Sequence, residues 1–311
     1  MPEPDLFNEL LRRKQQAEKR LAEARALEHQ WRQLTCRTDE RALELIAKWL
    51  AAQVKAIGAQ GCVFGLSGGV DSSLVAVLLA RSGVENIIAY SMPCGSPPKD
   101  QEDAVELCRV LRLSHRVLDL RPAARALFSL GGVTFEEADP LLRGNLASRL
   151  RHTLLYLEAN RHGLLVVGTG DLDEAYVGYG TKGSTADLFP ITGLHKDEVR
   201  QLLRLALTPI DAGLAERFAQ RPASPGYFEG QLAESELGID YSALGPLVDV
   251  LREHCVPSVT GLFPKNPSEL EAMVQARGLS VTRLLHVAEL ARRNHHKVFG
   301  SPSLDRPFTV E

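Results

Sequence analysis

The sequence predicts an α/β fold: a doubly wound parallel sheet of about five strands, preceded by an N-terminal helical extension. Three observations carry this. Short apolar runs of strand length alternate with segments of helical spacing. The loops with unusual chemistry all follow strands, where such a sheet places its ligand. The 311 residues are 44% apolar and 24% charged, enough for a packed core in one large domain or two small ones.

Residues 7–34 lack Gly and Pro and repeat apolar side chains at Leu10, Ala17, Leu21, Ala24 and Trp31, which suits a long amphipathic helix. Lys14 and Glu28 interrupt that seam, so the helix is expected to pack on its own domain or on a partner subunit. Leu43, Ile46, Ala47, Leu50, Val54 and Ile57 stripe a second helix that begins near Asp39 and stops at Gly58. Residues 62–66 read as a buried strand and 74–80 as a helix ended by Gly83. Strands follow at 86–92, 116–120 and 164–167, with helices at 100–111, 143–160 and 197–207. Residues 121–142, 221–231 and 255–268 read as mobile connections. Ser268 and Glu271 have capping-box spacing for a helix restart, and another helix should cover 281–293. The division expected is an extension at 1–37, a core at 38–254 and a C-terminal helical extension and tail at 255–311.

Charge and cysteine usage exclude several classes. Lys plus Arg is 36 and Asp plus Glu is 39, a net −3, which does not suit a strongly basic nucleic-acid binder. Cysteines at 36, 62, 94, 108 and 255 are odd in number and form no C-x-x-C, so neither a disulfide framework nor a structural zinc is expected. The N-terminus has no apolar signal core, and no apolar run approaches the roughly 20 residues of a membrane span. A soluble, reducing, cytoplasmic setting with no membrane or nucleic-acid partner is expected.

The first chemical motif is Gly65-Leu66-Ser67-Gly68-Gly69-Val70-Asp71-Ser72-Ser73, between a strand and a helix. Gly68 and Gly69 let the backbone approach a ligand closely. Ser67, Ser72 and Ser73 offer hydroxyls, and the following helix points its positive end at the same place. Asp71 beside a phosphate site makes sense if Mg²⁺ lies between them. The pattern is neither a Walker loop nor G-x-G-x-x-G.

Ser67-Gly68-Gly69-Val70-Asp71-Ser72 resembles the S-G-G-x-D-S loop of the ATP pyrophosphatases, which adenylate a substrate oxygen and release pyrophosphate. Further stretches resemble NAD synthetases over roughly residues 38–298. They are Met92-Pro93-Cys94-Gly95-Ser96 with Gln101-Glu102-Asp103-Ala104, and Asn145-x-x-x-Arg149-x-Arg151 with Tyr156 and Asn160. Gly168-Thr169 to Glu174, Gly178-Tyr179-Gly180-Thr181-Lys182, Asp187 to Pro190 and Leu194-His195-Lys196 match that family's central pattern. Glu229-Gly230-Gln231 to Tyr241 and Asn294-His295-His296-Lys297 resemble its later loops.

The resemblance implies ammonia-dependent amidation of deamido-NAD, with ATP as co-substrate and Mg²⁺ as cofactor. By it, Asp71 and Glu174 would hold Mg²⁺, and Lys196 would hold ATP phosphates. Gly65, the loop 67–73, Thr169 and Ser224 would surround ATP; Arg149, Arg151, Lys182, Asp187 and Lys297 would take the acceptor. Arg149 and Arg151 stand about 200° apart on a helix, so both reach anions only at a helix edge facing the site. Closure of 221–236 would keep water from the adenylate. A homodimer is implied. Glutamine-dependent relatives carry an extra glutaminase domain, and only about 37 residues precede the core here, so free ammonia or a separate ammonia-donor subunit is expected.

Two departures touch the acceptor side. The 182–187 segment is about two residues shorter than T-K-Y-G-D-G and lacks its acid, and Q-T-D-E is Gln231-Leu232-Ala233-Glu234. Asp173 or Asp187 is a candidate to compensate. The residues also accommodate another adenylating enzyme with a different acceptor, sulfur transfer through Cys94, or a weakly active nucleotide-binding paralogue.

Overall fold

The computed structural model describes residues 6–227, 230–258, 261–294 and 297; Glu229, His295 and His296 of the later motifs lie outside them. The chain opens with α1 (Leu6–Gln33) and α2 (Glu40–Ile57), which pack together. Asp39 caps α2 by accepting from Ala42 N at 2.9 Å, and Gly58 stops it at φ +80°. There follow β1 (Cys62–Gly65), α3 (Val70–Ser82), β2 (Ile87–Ser91), α4 (Pro98–Leu111), β3 (Ser114–Val117), α5 (Arg121–Leu130), α6 (Pro140–His162) and β4 (Leu165–Val167). The second half holds α7 (Leu172–Val177), α8 (Lys196–Leu207), α9 (Ala212–Ala219), α10 (Ala233–Leu237), α11 (Tyr241–His254), the hairpin β5 (Cys255–Ser258) and β6 (Gly261–Pro264), α12 (Pro267–Ala276) and α13 (Val281–Arg293).

The main sheet is parallel, in the order β3-β2-β1-β4. Side chains alternate between its faces, as a strand's period of two requires. Cys62, Phe64, Ile87, Ala89 and Val167 join one core with α2, α3, α8 and α9. Val63, Ile88, Tyr90 and Val166 join the other with α5 and α6. Over β1, β2 and β4 both faces are covered, which explains their short apolar runs, while the edge strand β3 is mostly exposed. A third cluster packs α7, α10, α11, α12 and α13 together, and runs without a break across residue 254.

Among the described residues the main sheet has four strands, one fewer than, and consistent with, the expected number of about five. Leu188 makes a single parallel bridge to Val167 where a fifth would lie, and Pro190 cannot extend the ladder. Residues 121–142 are not one loop: Ala124 and Phe128 bury one face of α5, and α6 begins at Pro140. Asn266, rather than Ser268, caps α12. All five cysteines are unpaired. Among the described residues no helix is long and apolar enough to cross a membrane.

Candidate active site

Strand order reverses between β1 and β4, so a crevice opens beyond their carboxyl ends. The loop after β1 is braced by its own hydroxyls. Ser72 Oγ donates to Gly69 O at 3.1 Å, Ser73 Oγ donates to the same oxygen at 2.8 Å, and Ser67 Oγ lies 3.0 Å from Ser72 Oγ. Gly68 has φ +79°, and a Cβ there would lie 2.4 Å from the carbonyl oxygen of Asp100. Both the dihedral and the space require glycine.

The loop after β4 brings a charged cluster to the same end. Asp171 caps α7, its Oδ1 accepting from Glu174 N at 2.8 Å. Lys196, the first residue of α8, is wholly buried. Its ammonium donates to Asp71 Oδ2 at 2.7 Å and Glu174 Oε1 at 2.8 Å. Asp171 Oδ2 is 2.9 Å away, an ion pair without hydrogen-bond geometry, and the Tyr241 ring centroid lies at 4.9 Å. Burial opposes the ammonium, but Asp71, Glu174 and Asp171 outweigh it and hold Lys196 well above the ordinary lysine range. Burial pushes Asp171 well up and Glu174 up, with the neighbouring carboxylates adding to both. Three acids thus surround one cation, with Asp71 and Glu174 each about a fifth exposed.

A cavity of about 940 Å³ fronts this cluster. Gly65, Ser67, Gly69, Asp71, Ser72, Thr169, Glu174 and Ser224 line it, with Arg151 and Lys297. Gly68, Ser73 and Lys196 sit behind the lining. Arg151 donates from Nε to Met92 O at 3.1 Å, and burial pulls its pKa down. Lys297 Nζ donates to Gly178 O at 3.3 Å, and burial lowers its pKa too. Arg149, Lys182 and Asp187 lie outside the lining. Arg149 is exposed and donates to Lys182 O at 3.1 Å.

Neither acid that was a candidate to compensate is free to do so. Asp187 accepts from Val166 N at 2.8 Å and Tyr156 OH at 3.2 Å, bracing the end of β4. Asp173 accepts from His195 Nδ1 at 2.8 Å and Lys196 N at 2.9 Å. The acid that does line the cavity on that side is Glu236, accepting from Tyr179 OH at 2.5 Å and Gln231 Nε2 at 2.6 Å. Cys94 is buried away from the lining and its thiol is pushed up by burial, so nothing there favours sulfur transfer.

Residues 221–227 line the cavity as a tethered strap. Arg221 donates to Gly68 O at 2.8 Å and Asp103 Oδ2 at 2.8 Å, and pairs with Asp100. Ser96 Oγ donates to Gly226 O at 3.0 Å, and the Tyr227 ring fills the space over Gly144. Sequence reasoning missed Arg221 and Tyr227, for which no local pattern exists. It also passed over Asp171, although an acid before a short helix next to Glu174 was a usable signal.

Among the described residues no three His, Cys, Asp or Glu side chains group to hold a metal unaided. Asp71 and Glu174 still fit Mg²⁺. They offer hard oxygens on the cavity wall, and Asp71 Oδ1 is buried without a hydrogen-bond partner. Mg²⁺ is commonly held by one or two carboxylates and completed by phosphate oxygens and water.

Comparison with known proteins gives the family and the fold. A family model described as NAD synthase matches residues 42–298. The NH(3)-dependent NAD(+) synthetase of Hyperthermus butylicus is 39% identical over 271 residues, covering 85% of this chain and 90% of that protein. The solved NMN synthetase of Francisella tularensis superposes with TM-score 0.68 at 25% identity, over 87% of this chain and 99% of that one. An NH3-dependent NAD synthetase from Campylobacter jejuni, solved with nitrate, gives TM-score 0.64 at 25% identity, over 86% and 99% of the two chains.

Proposed function

The chain belongs to the NAD synthase family, and we propose that it makes NAD from deamido-NAD, ATP and ammonia through an acyl-adenylate. The observation that carries the residue roles is the buried Lys196 ammonium between two cavity-lining carboxylates, Asp71 and Glu174, at the switch point of the sheet. ATP phosphates lie along 67–73 and the positive end of α3, with Thr169 and Ser224 beside the nucleotide. The acceptor carboxylate attacks the α-phosphorus and pyrophosphate leaves. Lys196 stabilises the charge that builds on the leaving group. Asp71 and Glu174 would hold Mg²⁺, which supplies further neutralisation of the phosphates. Of the cations on the wall, which also include Arg121 and Arg221, Arg151 and Lys297 take the acceptor's anionic groups. The strap, tied down by Arg221, keeps water from the adenylate. Ammonia then attacks the activated carbonyl and AMP departs.

A homodimer joined through the exposed apolar side chains of α5 and early α6 belongs to this reading: Leu130 is 85% exposed and Leu141, which also lines the cavity, 60%.

A second reading, a mononucleotide acid as acceptor, is favoured by the likeness to an NMN synthetase. It also accords with Arg149, Lys182 and Asp187 lying off the cavity wall. Comparison of kcat/KM for deamido-NAD and for nicotinic acid mononucleotide, with Mg-ATP and ammonium, decides between them. Preference for deamido-NAD supports the first reading; preference for the mononucleotide overturns it.

A further inference from the structure

A second cation among acids lies next to the Lys196 cluster. His195 directs both ring nitrogens at carboxylates: Nδ1 is 2.8 Å from Asp173 Oδ1, and Nε2 is 3.1 Å from Asp249 Oδ1. An ionised carboxylate only accepts, so two ionised acids facing the ring call for a proton on each nitrogen, the imidazolium form. The three residues tie together three elements, with Asp173 on α7, His195 at the head of α8 and Asp249 on α11. Each element also supplies a member of the other cluster: α7 Glu174, α8 Lys196 and α11 Tyr241. Asp173 closes the link, since its Oδ2 accepts from Lys196 N at 2.9 Å. The imidazole is accommodated by Gly245 on α11, where a Cβ would lie 3.2 Å from Nδ1. Just upstream, Arg37 donates to Gly193 O at 3.1 Å, and a Cβ on Gly193 would lie 2.8 Å from Trp31 Nε1. Other charges near the clamp are Glu198 on α8, whose Oε2 accepts from His195 N at 2.9 Å, Arg252, 3.8 Å from Asp249, and Arg37, which also acts on Asp249.

We infer that His195 is a positioning residue for adenylation: clamped between Asp173 and Asp249, it fixes α7, α8 and α11 against one another and so holds the Lys196 ammonium in place. A lysine side chain has four rotatable bonds, and its aim depends on where its backbone is pinned. Misplacement of such a group by about 1 Å costs on the order of 100-fold. The inference rests on the role given to Lys196 above. It is consistent with the pKa of His195, where burial opposes the charged ring but its hydrogen bonds to Asp173 and Asp249 outweigh burial and raise it to about 10.

The test uses His195→Gln, Asp249→Asn and the conservative Asp249→Glu. In single turnover with Mg-ATP and the preferred acceptor, pyrophosphate release should fall about 10–100-fold in the first two. Acceptor KM should stay within about twofold, and Asp249→Glu should recover most of the rate. A separate readout needs no turnover. In the wild-type protein with ¹⁵N-labelled histidine, both nitrogens of His195 should be protonated at pH 8, above the ordinary value of about 6.5. A neutral ring at pH 8, or folded His195→Gln and Asp249→Asn variants that release pyrophosphate at the wild-type rate, would overturn the inference. Absence of pyrophosphate from the wild type would instead remove the reading of the site, leaving the nitrogen signals to judge the clamp.

Discussion

Lys196→Met tests the charged cluster most severely, because Met keeps much of the volume of the stem and removes the ammonium. Three carboxylates lie within 2.9 Å of that ammonium in a wholly buried position. Removing one partner from a buried ion pair costs about 3–5 kcal/mol. At about 2 °C per kcal/mol for a chain of this size, the melting temperature at pH 8 should fall by roughly 6–10 °C. The loss should depend on pH in a defined direction. Asp171 and Glu174 are already held above the usual carboxylate range by burial, and without the ammonium they rise further. A carboxylate whose folded pKa exceeds its unfolded value binds more protons in the folded state, so stability recovers as pH falls through the folded value. The deficit should therefore be largest at pH 8 and shrink towards pH 5. Pyrophosphate release should drop about 10²–10³-fold, the range for losing one preorganised charge-stabilising donor. Melting curves across pH, with a coupled pyrophosphate assay, read both effects. A pH-independent deficit, or turnover within about threefold of wild type, would refute the reasoning.

Gly68→Ala should raise the KM for ATP at least tenfold. The positive φ costs about 1–2 kcal/mol, and the methyl group meets a carbonyl oxygen, so the loop must shift. Deleting residues 1–19 should leave the melting temperature nearly unchanged, because side chains 11–20 are exposed. Deleting 1–35 should lower it by several degrees: Ala24 is buried, and Glu28 accepts from Trp49 and Gln53, each at 3.1 Å. Equal melting of the two deletions would make α1 a docking arm alone. Cys94→Ser should keep full amidation activity, and loss of product with intact folding would revive sulfur chemistry.

Strands β1, β2 and β4 were legible because burial on both faces forces continuous apolar runs, as at Cys62–Phe64, whereas the mostly exposed edge strand β3 (Ser114–Val117) starts two residues before the expected 116–120. Caps made some boundaries readable: Asp39 and Gly58 bound α2 where expected. The loop 65–73 was legible because its glycines, serines and acid stand together between a strand and a helix. Long-range pairings were not. Nothing local tells that Arg221 reaches Gly68 and Asp103, or that His195 finds Asp249, because those contacts are set by packing of distant helices. Asp173 and Asp187 illustrate the limit from the other side. Both are acids beside the site, yet backbone N–H groups and local side chains claim them. Residue type shows what a side chain can do, and tertiary placement decides whether it is available to a ligand.

The acyl-adenylate is the central claim, and its oxygen can be followed. Deamido-NAD labelled with ¹⁸O in its carboxylate, turned over with Mg-ATP and ammonium, should yield AMP carrying one labelled oxygen per NAD formed. That oxygen bonds to phosphorus during adenylation and leaves with AMP when ammonia attacks the carbonyl. NAD formed together with unlabelled AMP would contradict the account.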